Sequence, residues 1–342
     1  MREIRPQAPG PPREARWIRS EPRRSVPVRV VERIAGAALP HCRVAGVELL
    51  GDGLRNANFK VHLDSTPEML VLRIYEHDAS LCRKELDLMR LVSGSVPAPE
   101  VIRAEPGGWE DLPPFVLMRY VGGISFRDLA RSGDTEAIAQ AAYSAGEALA
   151  AIGRNRFPKP GWLAPGPAVT TPLLEGPDPT PRFVDLCLAS TDLERRMPAD
   201  LRDCTHALVW RWAPQLAPLE AETRLVHGDF NQRNVLVRAV AGKWSVAAVL
   251  DWEFAVSGCP LCDVGSFLRY ERVSRPTSEP HFSNGYLHAG GTLPRDWRRL
   301  ARVIALTALC EILTHDQLSD AVVTEVVELV RATVENRDPQ FA

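Results

Sequence analysis

No stretch of this sequence approaches the ~20 consecutive apolar residues that a helix needs to cross a bilayer. Its first residues lack the apolar segment of a secretory signal. There is no basic excess either: 41 Lys and Arg stand against 43 Asp and Glu, a net charge of −2, which argues against a general nucleic-acid binder. The seven cysteines are odd in number and scattered, so no disulfide framework is expected. No internal repeat is visible. These absences lead to the expectation of a cytoplasmic protein with reduced thiols and no membrane contact. What is present is a 342-residue chain, 45% hydrophobic and 25% charged, enough for a sizeable core divided over about two domains or lobes.

Charge and pattern divide the chain unevenly. Residues 1–30 hold eight Arg and three Glu, a net +5, so the rest of the chain carries −7. Residues 1–26 are rich in Arg and Pro, with too little apolar surface to offset their ordering entropy. They read as a disordered or loosely docked tail, or as an arm that contacts a partner. From Val47 to Tyr75, apolar residues alternate in VELL, ANFKVHL and MLVLRIY, three strands joined by turns. Residues 77–92 switch to a helical period, with Leu81, Glu85, Leu88 and Val92 on one face. VPAPEVIRAE and PFVLMRYV complete a five-stranded antiparallel sheet. After Gly122 and Gly123 the pattern turns helical, beginning with the Ala-rich segment 135–153. Residues 158–181 contain eight prolines, too many for regular structure, and are expected to form a loop, lid or linker. Helices follow near 182–216, a strand–loop–strand–strand unit covers 224–251, and the end is helical again. The class is α+β.

The segment LVHGDFNQRNVLVR, residues 225–238, carries the strongest chemical signal. A polar loop bearing Asp229 and Asn234 lies between two apolar strands, and the strand VAAVLDWEF delivers Asp251 seventeen positions after Asn234. Two carboxylates and an amide oxygen on strand ends suit phosphoryl transfer. One Asp would orient an attacking hydroxyl and accept its proton, while the other Asp and the Asn would give magnesium hard oxygen ligands. Upstream, GDGLRNAN (residues 51–58) is a Gly-rich turn between strands, where backbone amides can approach phosphates. A strand follows it, not the helix that a dinucleotide-binding turn requires. Val71, Arg73 and Tyr75 share one strand face, and Glu85 interrupts the apolar face of the next helix. A carboxylate there needs a cation. Arg73 is the natural partner, though Arg83 and Lys84 could also reach it.

With these motifs in this order, roughly residues 45–335 resemble the aminoglycoside phosphotransferase and choline kinase group, small-molecule kinases with a protein-kinase-like fold. HGDFNQRN is similar to the family's catalytic loop, VLDWE to its metal-binding strand end, and CPLCDVGSFLRY to the segment whose Asp, here Asp263, braces that loop. The resemblance implies a bilobal fold: an N-lobe at 27–121 holding the nucleotide-binding sheet, and a mostly helical C-lobe at 122–342. It implies ATP and Mg2+ as cofactors, Asp229 as catalytic base, Asn234 and Asp251 as magnesium ligands, and His227 and Gly228 as shapers of the loop. Gly51, Gly53 and Asn56 would cover the phosphates. Arg73, standing where the family's fold has a Lys, would pair with Glu85 and hold the α- and β-phosphates. In FVLMRYVGG, the backbones of Arg119 and Val121 would bind adenine, with Met118 behind it.

Cys259 and Cys262 have the spacing of half a zinc site, but no second pair exists and packing is the expected role. A protein kinase is disfavoured by Gly228, where such kinases usually carry Arg, and by the mere eleven residues between Asp251 and Asp263. The expected activity is ATP-dependent transfer to a hydroxyl of a small molecule, foremost an aminoglycoside-like or other hydroxyl-bearing antibiotic. The alternatives are a metabolic kinase of the choline, homoserine or methylthioribose type, or a non-catalytic nucleotide-binding relative. The partner set is a small-molecule acceptor, no nucleic acid and no membrane, in a monomer or homodimer.

Overall fold

The computed structural model describes residues 27–50, 56–64, 66–75, 78–110, 112–271 and 276–335. The expected tail at 1–26 lies outside them. The described chain opens with α1 (Val28–Ala38), followed by β1 (Val44–Leu49), β2 (Asn56–Leu63), β3 (Met69–Tyr75), α2 (Ala79–Val92), β4 (Val101–Glu105) and β5 (Phe115–Arg119). The strands form one antiparallel sheet in the order β1-β2-β3-β5-β4, as the alternating pattern predicts. Strand period decides which helix each residue meets. Leu70, Leu72 and Ile74 of β3 join Phe115 and Leu117 of β5 in a core that includes Val31 and Ile34 of α1. The opposite face turns Tyr75, Val116 and Met118 toward Cys82 of α2, and the same alternation puts Arg73 on that side. Helix α1 is not among the expected elements. Its signal is a single i, i+3, i+4 set, Val31, Ile34 and Ala35, all buried, next to an Arg- and Pro-rich stretch.

The C-terminal region holds β6 (Ile124–Ser125), α3 (Phe126–Ser132), α4 (Thr135–Ile152), β7 (Gly161–Ala164), β8 (Ala168–Val169), α5 (Pro179–Leu188), α6 (Thr191–Arg196), α7 (Ala199–Glu220), β9 (Arg224–Val226), β10 (Val235–Val240), β11 (Lys243–Val249), β12 (Val256–Gly258), α8 (Leu261–Phe267), α9 (His281–His288), α10 (Trp297–Thr314) and α11 (Asp320–Val334). Asp134 caps α4, accepting the Ala137 N–H at 3.0 Å, which satisfies one of the open donors of the first turn. Among the described residues, no helix is long and apolar enough to cross a membrane.

One expectation is corrected. Residues 158–181 are not without regular structure: they contain the β7–β8 hairpin and the start of α5. The prolines permit this by position. Pro158 and Pro160 precede β7, Pro165 and Pro167 sit in the turn to β8, and Pro179 and Pro181 occupy the first turn of α5, where a missing N–H is harmless. The unit at 224–251 has the expected strands; the first does not share a sheet with the other two. β9 pairs with β12, whereas β10 pairs with β11 and β6. The loop at 227–234 therefore passes from one sheet to another.

Phe126, Phe230, Phe267 and Phe282 form an aromatic cluster, with the rings of Phe267 and Phe282 stacked at 4.5 Å. Phe230 is fully buried and belongs to that crossing loop, so the loop is pinned into the main core. Helices α4 and α9 approach until a Cβ on Gly285 would lie 2.0 Å from the Tyr143 carbonyl oxygen, and one on Gly146 2.1 Å from that of Phe282. No L side chain fits there without separating the helices. Gly285→Ala is expected to cost about 3 kcal/mol and to lower Tm in a thermal melt, without loss of helical content in the folded protein.

Candidate active site

The loop between β9 and β10 is shaped from inside. Asp263, in the first turn of α8 and fully buried, accepts the His227 N–H at 2.7 Å and the Gly228 N–H at 3.0 Å. Burial pushes its carboxyl up to about 7, against the lowering pull of these backbone donors and that of Phe230. His227 is also fully buried, and desolvation lowers its pKa to about 4. The neutral ring donates from Nε2 to the Leu250 carbonyl at 3.0 Å and accepts the Asp229 N–H on Nδ1 at 3.3 Å. It packs on Trp252 with centroids 4.6 Å apart. Gly228 adopts φ 81°, and a Cβ there would lie 2.2 Å from the Phe254 carbonyl oxygen. The Arg that protein kinases usually carry at this position is thus sterically barred.

The loop presents Asp229 between two amides. Its Oδ1 accepts Asn231 Nδ2 at 2.6 Å and its Oδ2 accepts Asn234 Nδ2 at 2.8 Å. Burial raises its pKa to about 6, partly offset by the Asn231 hydrogen bond and by Arg269. Asn234 Nδ2 also donates to the Asp229 carbonyl at 3.0 Å, so its Oδ1 remains as an acceptor on the other side. Asn234 is tied to the end of the next strand through its own carbonyl, which accepts the Leu250 N–H at 2.8 Å. Asp251 follows at once, with a positive φ of 68°, a sparsely populated conformation for a non-Gly residue.

On the sheet side, Arg73 is only 9% exposed and its Nη2 holds three carboxylates: Glu85 Oε1 at 2.9 Å, Asp251 Oδ1 at 2.6 Å and Glu253 Oε2 at 3.7 Å. Tyr75 donates its hydroxyl to the second oxygen of Glu85 at 2.5 Å. Desolvation raises Glu85 to about 7, while Arg73 pulls it down. The other candidate partners of Glu85 are engaged elsewhere. Lys84 Nζ donates to the Glu253 carbonyl at 2.7 Å, and Arg83 pairs with Asp87 at 3.0 Å. Asn56 donates to Glu253 Oε2 at 3.2 Å, which joins the end of the Gly-rich turn to the Asp251 segment.

The structure brings Asn56, Arg73, Asp229, Asn234 and Asp251 to one cavity of about 820 Å³. Glu85 stands behind it. Met118, Arg119 and Val121 do not line it. The Arg119 N–H donates to the Glu100 carbonyl at 2.8 Å and its side chain pairs with Glu68 and Glu100, so this residue can offer a base only its carbonyl. Gly51 and Gly53 lie outside the described residues. Cys259 and Cys262 shape the turn into α8 through the Cys262 N–H to Cys259 carbonyl bond at 3.1 Å, and burial pushes the Cys259 thiol up to about 12. Among the described residues, the one set of three acidic, His or Cys side chains close enough for a shared cation is Glu85, Asp251 and Glu253, and it already encloses the Arg73 guanidinium. Tyr75, Asn231 and Glu253 join the site without having been expected there. Of these, Glu253 was the most visible, two positions after Asp251 on the same strand end.

The profile of the phosphotransferase enzyme family matches residues 46–303, three quarters of the chain and every residue of this site. The chain belongs to that family. A curated relative, acyl-CoA dehydrogenase family member 10 of Mus musculus, is 28% identical over 196 residues; the match covers 54% of this phosphotransferase-family chain and 16% of the relative. The chain thus aligns with about a sixth of that longer protein. Two solved structures share the fold at TM-scores of 0.62 and 0.65. The first is a thermostable mutant of aminoglycoside phosphotransferase APH(4)-Ia in ternary complex with AMP-PNP and hygromycin B (18% identity, 90% of this chain and 99% of that one). The second is the GDP and kanamycin complex of APH(2")-IIIa (17% identity, 90% and 99%). The fold of this family member is the bilobal, protein-kinase-like one, with an antiparallel-sheet N-terminal region and a helical C-terminal region.

Asp263→Ala strands the buried His227 and Gly228 N–H groups, each at about 1–3 kcal/mol. The variant is expected to unfold at lower denaturant than the wild type and to lose the shape of the 227–234 loop. Equilibrium unfolding by tryptophan fluorescence checks the first, and amide exchange at residues 227–234 the second.

Proposed function

We propose that the chain is an ATP-dependent O-phosphotransferase that moves the γ-phosphate to a hydroxyl of a small molecule, in the cytoplasm. The observation that carries this reading is that Asp229, Asn234, Asp251 and Arg73 line one cavity, with Glu85 paired to Arg73 behind it. The nucleotide would lie between residues 27–121 and 122–342, with its base against the Arg119 carbonyl and Val121, Met118 behind it, and its phosphates under Gly51, Gly53 and Asn56.

The donor set fits magnesium. Asp251 supplies a carboxylate that is partly open to the cleft, and the amide orientation fixed by Asp229 leaves Asn234 an oxygen for the same role. Hard oxygen ligands from two residues plus phosphate oxygens are what this ion prefers, and when bound it neutralises charge on the transferred phosphate. Arg73 would move part of its bonding from Asp251 to the α- and β-phosphates, freeing that carboxylate. Asp229, oriented by Asn231 and Asn234, would align the acceptor hydroxyl and take its proton.

Kanamycin and hygromycin B in the neighbours' complexes make an aminoglycoside-like antibiotic the first acceptor to try, as in a resistance kinase. A metabolic alcohol is the alternative.

Asp229→Asn is expected to retain Mg-ATP binding while turnover falls by about 10²–10⁴-fold. Binding by calorimetry and single-turnover rates would separate the two effects. In the wild type, a base with its pKa raised to about 6 is ionised above that pH and protonated below it. The rate under limiting acceptor should therefore be flat above about pH 7 and fall tenfold per unit below about pH 6. An acidic limb near pH 4 would mean that Asp229 is not the group that must be ionised.

A further inference from the structure

Helix α2 is seated mainly on the C-terminal region. Its Leu88, Met89 and Val92 are buried in the main core with residues of α4, α7 and α10. Its contribution to the cluster under Tyr75, Val116 and Met118 of the sheet is Cys82, with Leu81 at the edge. Lys84 and Asp87, three positions apart, border the stripe that carries Glu85, Leu88 and Val92. Both reach out of the helix to backbone of the C-terminal region. Lys84 Nζ donates to the Glu253 carbonyl at 2.7 Å. Asp87 Oδ2 accepts the Gly166 N–H at 2.9 Å.

Gly166 sits at φ 75° in the turn of the β7–β8 hairpin. Its neighbours Pro165 and Pro167 have no N–H, so Gly166 carries the one backbone donor of residues 165–167. The hairpin is in turn bonded to the strands that frame the site. β7 pairs with β12, Trp162 opposite Val256, and β12 pairs with β9, Val256 opposite Val226. β9 runs directly into His227 and the catalytic loop, and β12 begins two residues after Phe254. Asp87 therefore ties α2 to the same small sheet, β8-β7-β12-β9, from which the Asp229 loop departs.

Resting on the kinase reading above, we propose that Asp87 is a positioning residue for phosphoryl transfer: its grip on Gly166 fixes α2 against the C-terminal region and so keeps Glu85 in place for Arg73. Glu85 uses one oxygen for Arg73 at 2.9 Å and the other for the Tyr75 hydroxyl, so a shift of α2 along the sheet disturbs both bonds. The Asp87 side chain is only 10% exposed, whereas Arg83 and Arg90, which pair with it at 3.0 and 3.4 Å, are more than half exposed. Such pairs within one helix contribute little; the Gly166 bond is the contact of this cluster that joins separate elements. Burial disfavours the Asp87 charge, but the Gly166 N–H and then Arg83 outweigh it and hold the carboxyl below its ordinary range. The acceptor is thus ionised at neutral pH, where a charge-assisted bond is stronger.

The test compares D87A with D87N, whose amide oxygen can still accept the Gly166 N–H, and with R83Q/R90Q, which removes the helix pairs alone. Hydrogen exchange in the nucleotide-free proteins reads the grip itself. Faster exchange is expected in D87A over residues 161–170 and 79–92, with wild-type exchange in D87N. Calorimetry with Mg-AMP-PNP reads the consequence. Affinity should fall about three- to tenfold in D87A, the worth of one hydrogen bond, and stay close to wild type in D87N and R83Q/R90Q. Because Asp87 acts through Glu85, D87A should cost no further affinity in an E85Q background. A merely structural defect would add its loss there in full. The proposal is overturned by unchanged exchange in D87A, by wild-type affinity in D87A, by a D87N protein as weak as D87A, by the same loss in R83Q/R90Q, or by a loss in E85Q/D87A beyond that of E85Q. If wild-type protein does not bind Mg-AMP-PNP, the kinase reading falls and takes the positioning role with it, while the exchange result still decides whether Asp87 holds the hairpin.

Discussion

A buried guanidinium sets the terms for the rest of this structure. Arg73 sits in the sheet with little access to water, and an isolated charge there would be untenable. Its compensation comes from three elements that are distant in sequence: Glu85 on α2, Asp251 at the end of β11 and Glu253 two residues later. Sheet, helix and C-terminal strand end are thereby locked to one ion. Removing one partner of such a group typically costs about 3–5 kcal/mol, which makes the relative placement of the two regions a property of this cluster as much as of apolar packing. The same cluster is poised for exchange. An Arg held by carboxylates can be drawn to phosphates, and in the proposed reaction the carboxylate it leaves, Asp251, would be free to hold magnesium.

The catalytic loop relies on a second buried charge used in the opposite sense. Asp263 pairs with no cation among the described residues; it gathers backbone N–H groups. Together with neutral His227, Gly228 pressed against Phe254 and Phe230 sunk in the aromatic cluster, it leaves the loop few alternative shapes. Asp229 is thus aimed by a scaffold that is mostly buried behind it. Such preorganisation is what orientation-dependent phosphoryl transfer demands.

Much of this was legible in the sequence, for identifiable reasons. Period-two alternation gave the five-stranded sheet and put Val71, Arg73 and Tyr75 on one face, and the break in the apolar stripe of α2 pointed to Glu85. The fixed spacing of HGDFNQRN and VLDWE located the polar loop and Asp251. Other features depend on long-range geometry that no local pattern encodes. The assignment of β9 and β10 to different sheets is decided by partners 30 or more residues from β9 and over 100 from β10. The β7–β8 hairpin was hidden because proline count, unlike proline position, says nothing about which N–H groups are needed. Helix α1 offers too short a repeat to stand out.

The measurement that tests the account most directly is calorimetric binding of Mg-AMP-PNP to E85Q and wild-type protein, with acceptor KM measured alongside. Loss of a charged hydrogen-bond partner for Arg73 is worth about 1.5–3 kcal/mol, or roughly 10–100-fold. The account predicts nucleotide affinity weakened to that extent, with Asp251 held more tightly by Arg73 and acceptor KM nearly unchanged. Wild-type nucleotide affinity in a folded E85Q protein would contradict it, because Arg73 would then not be the group through which sheet, helix and metal-side carboxylate act together.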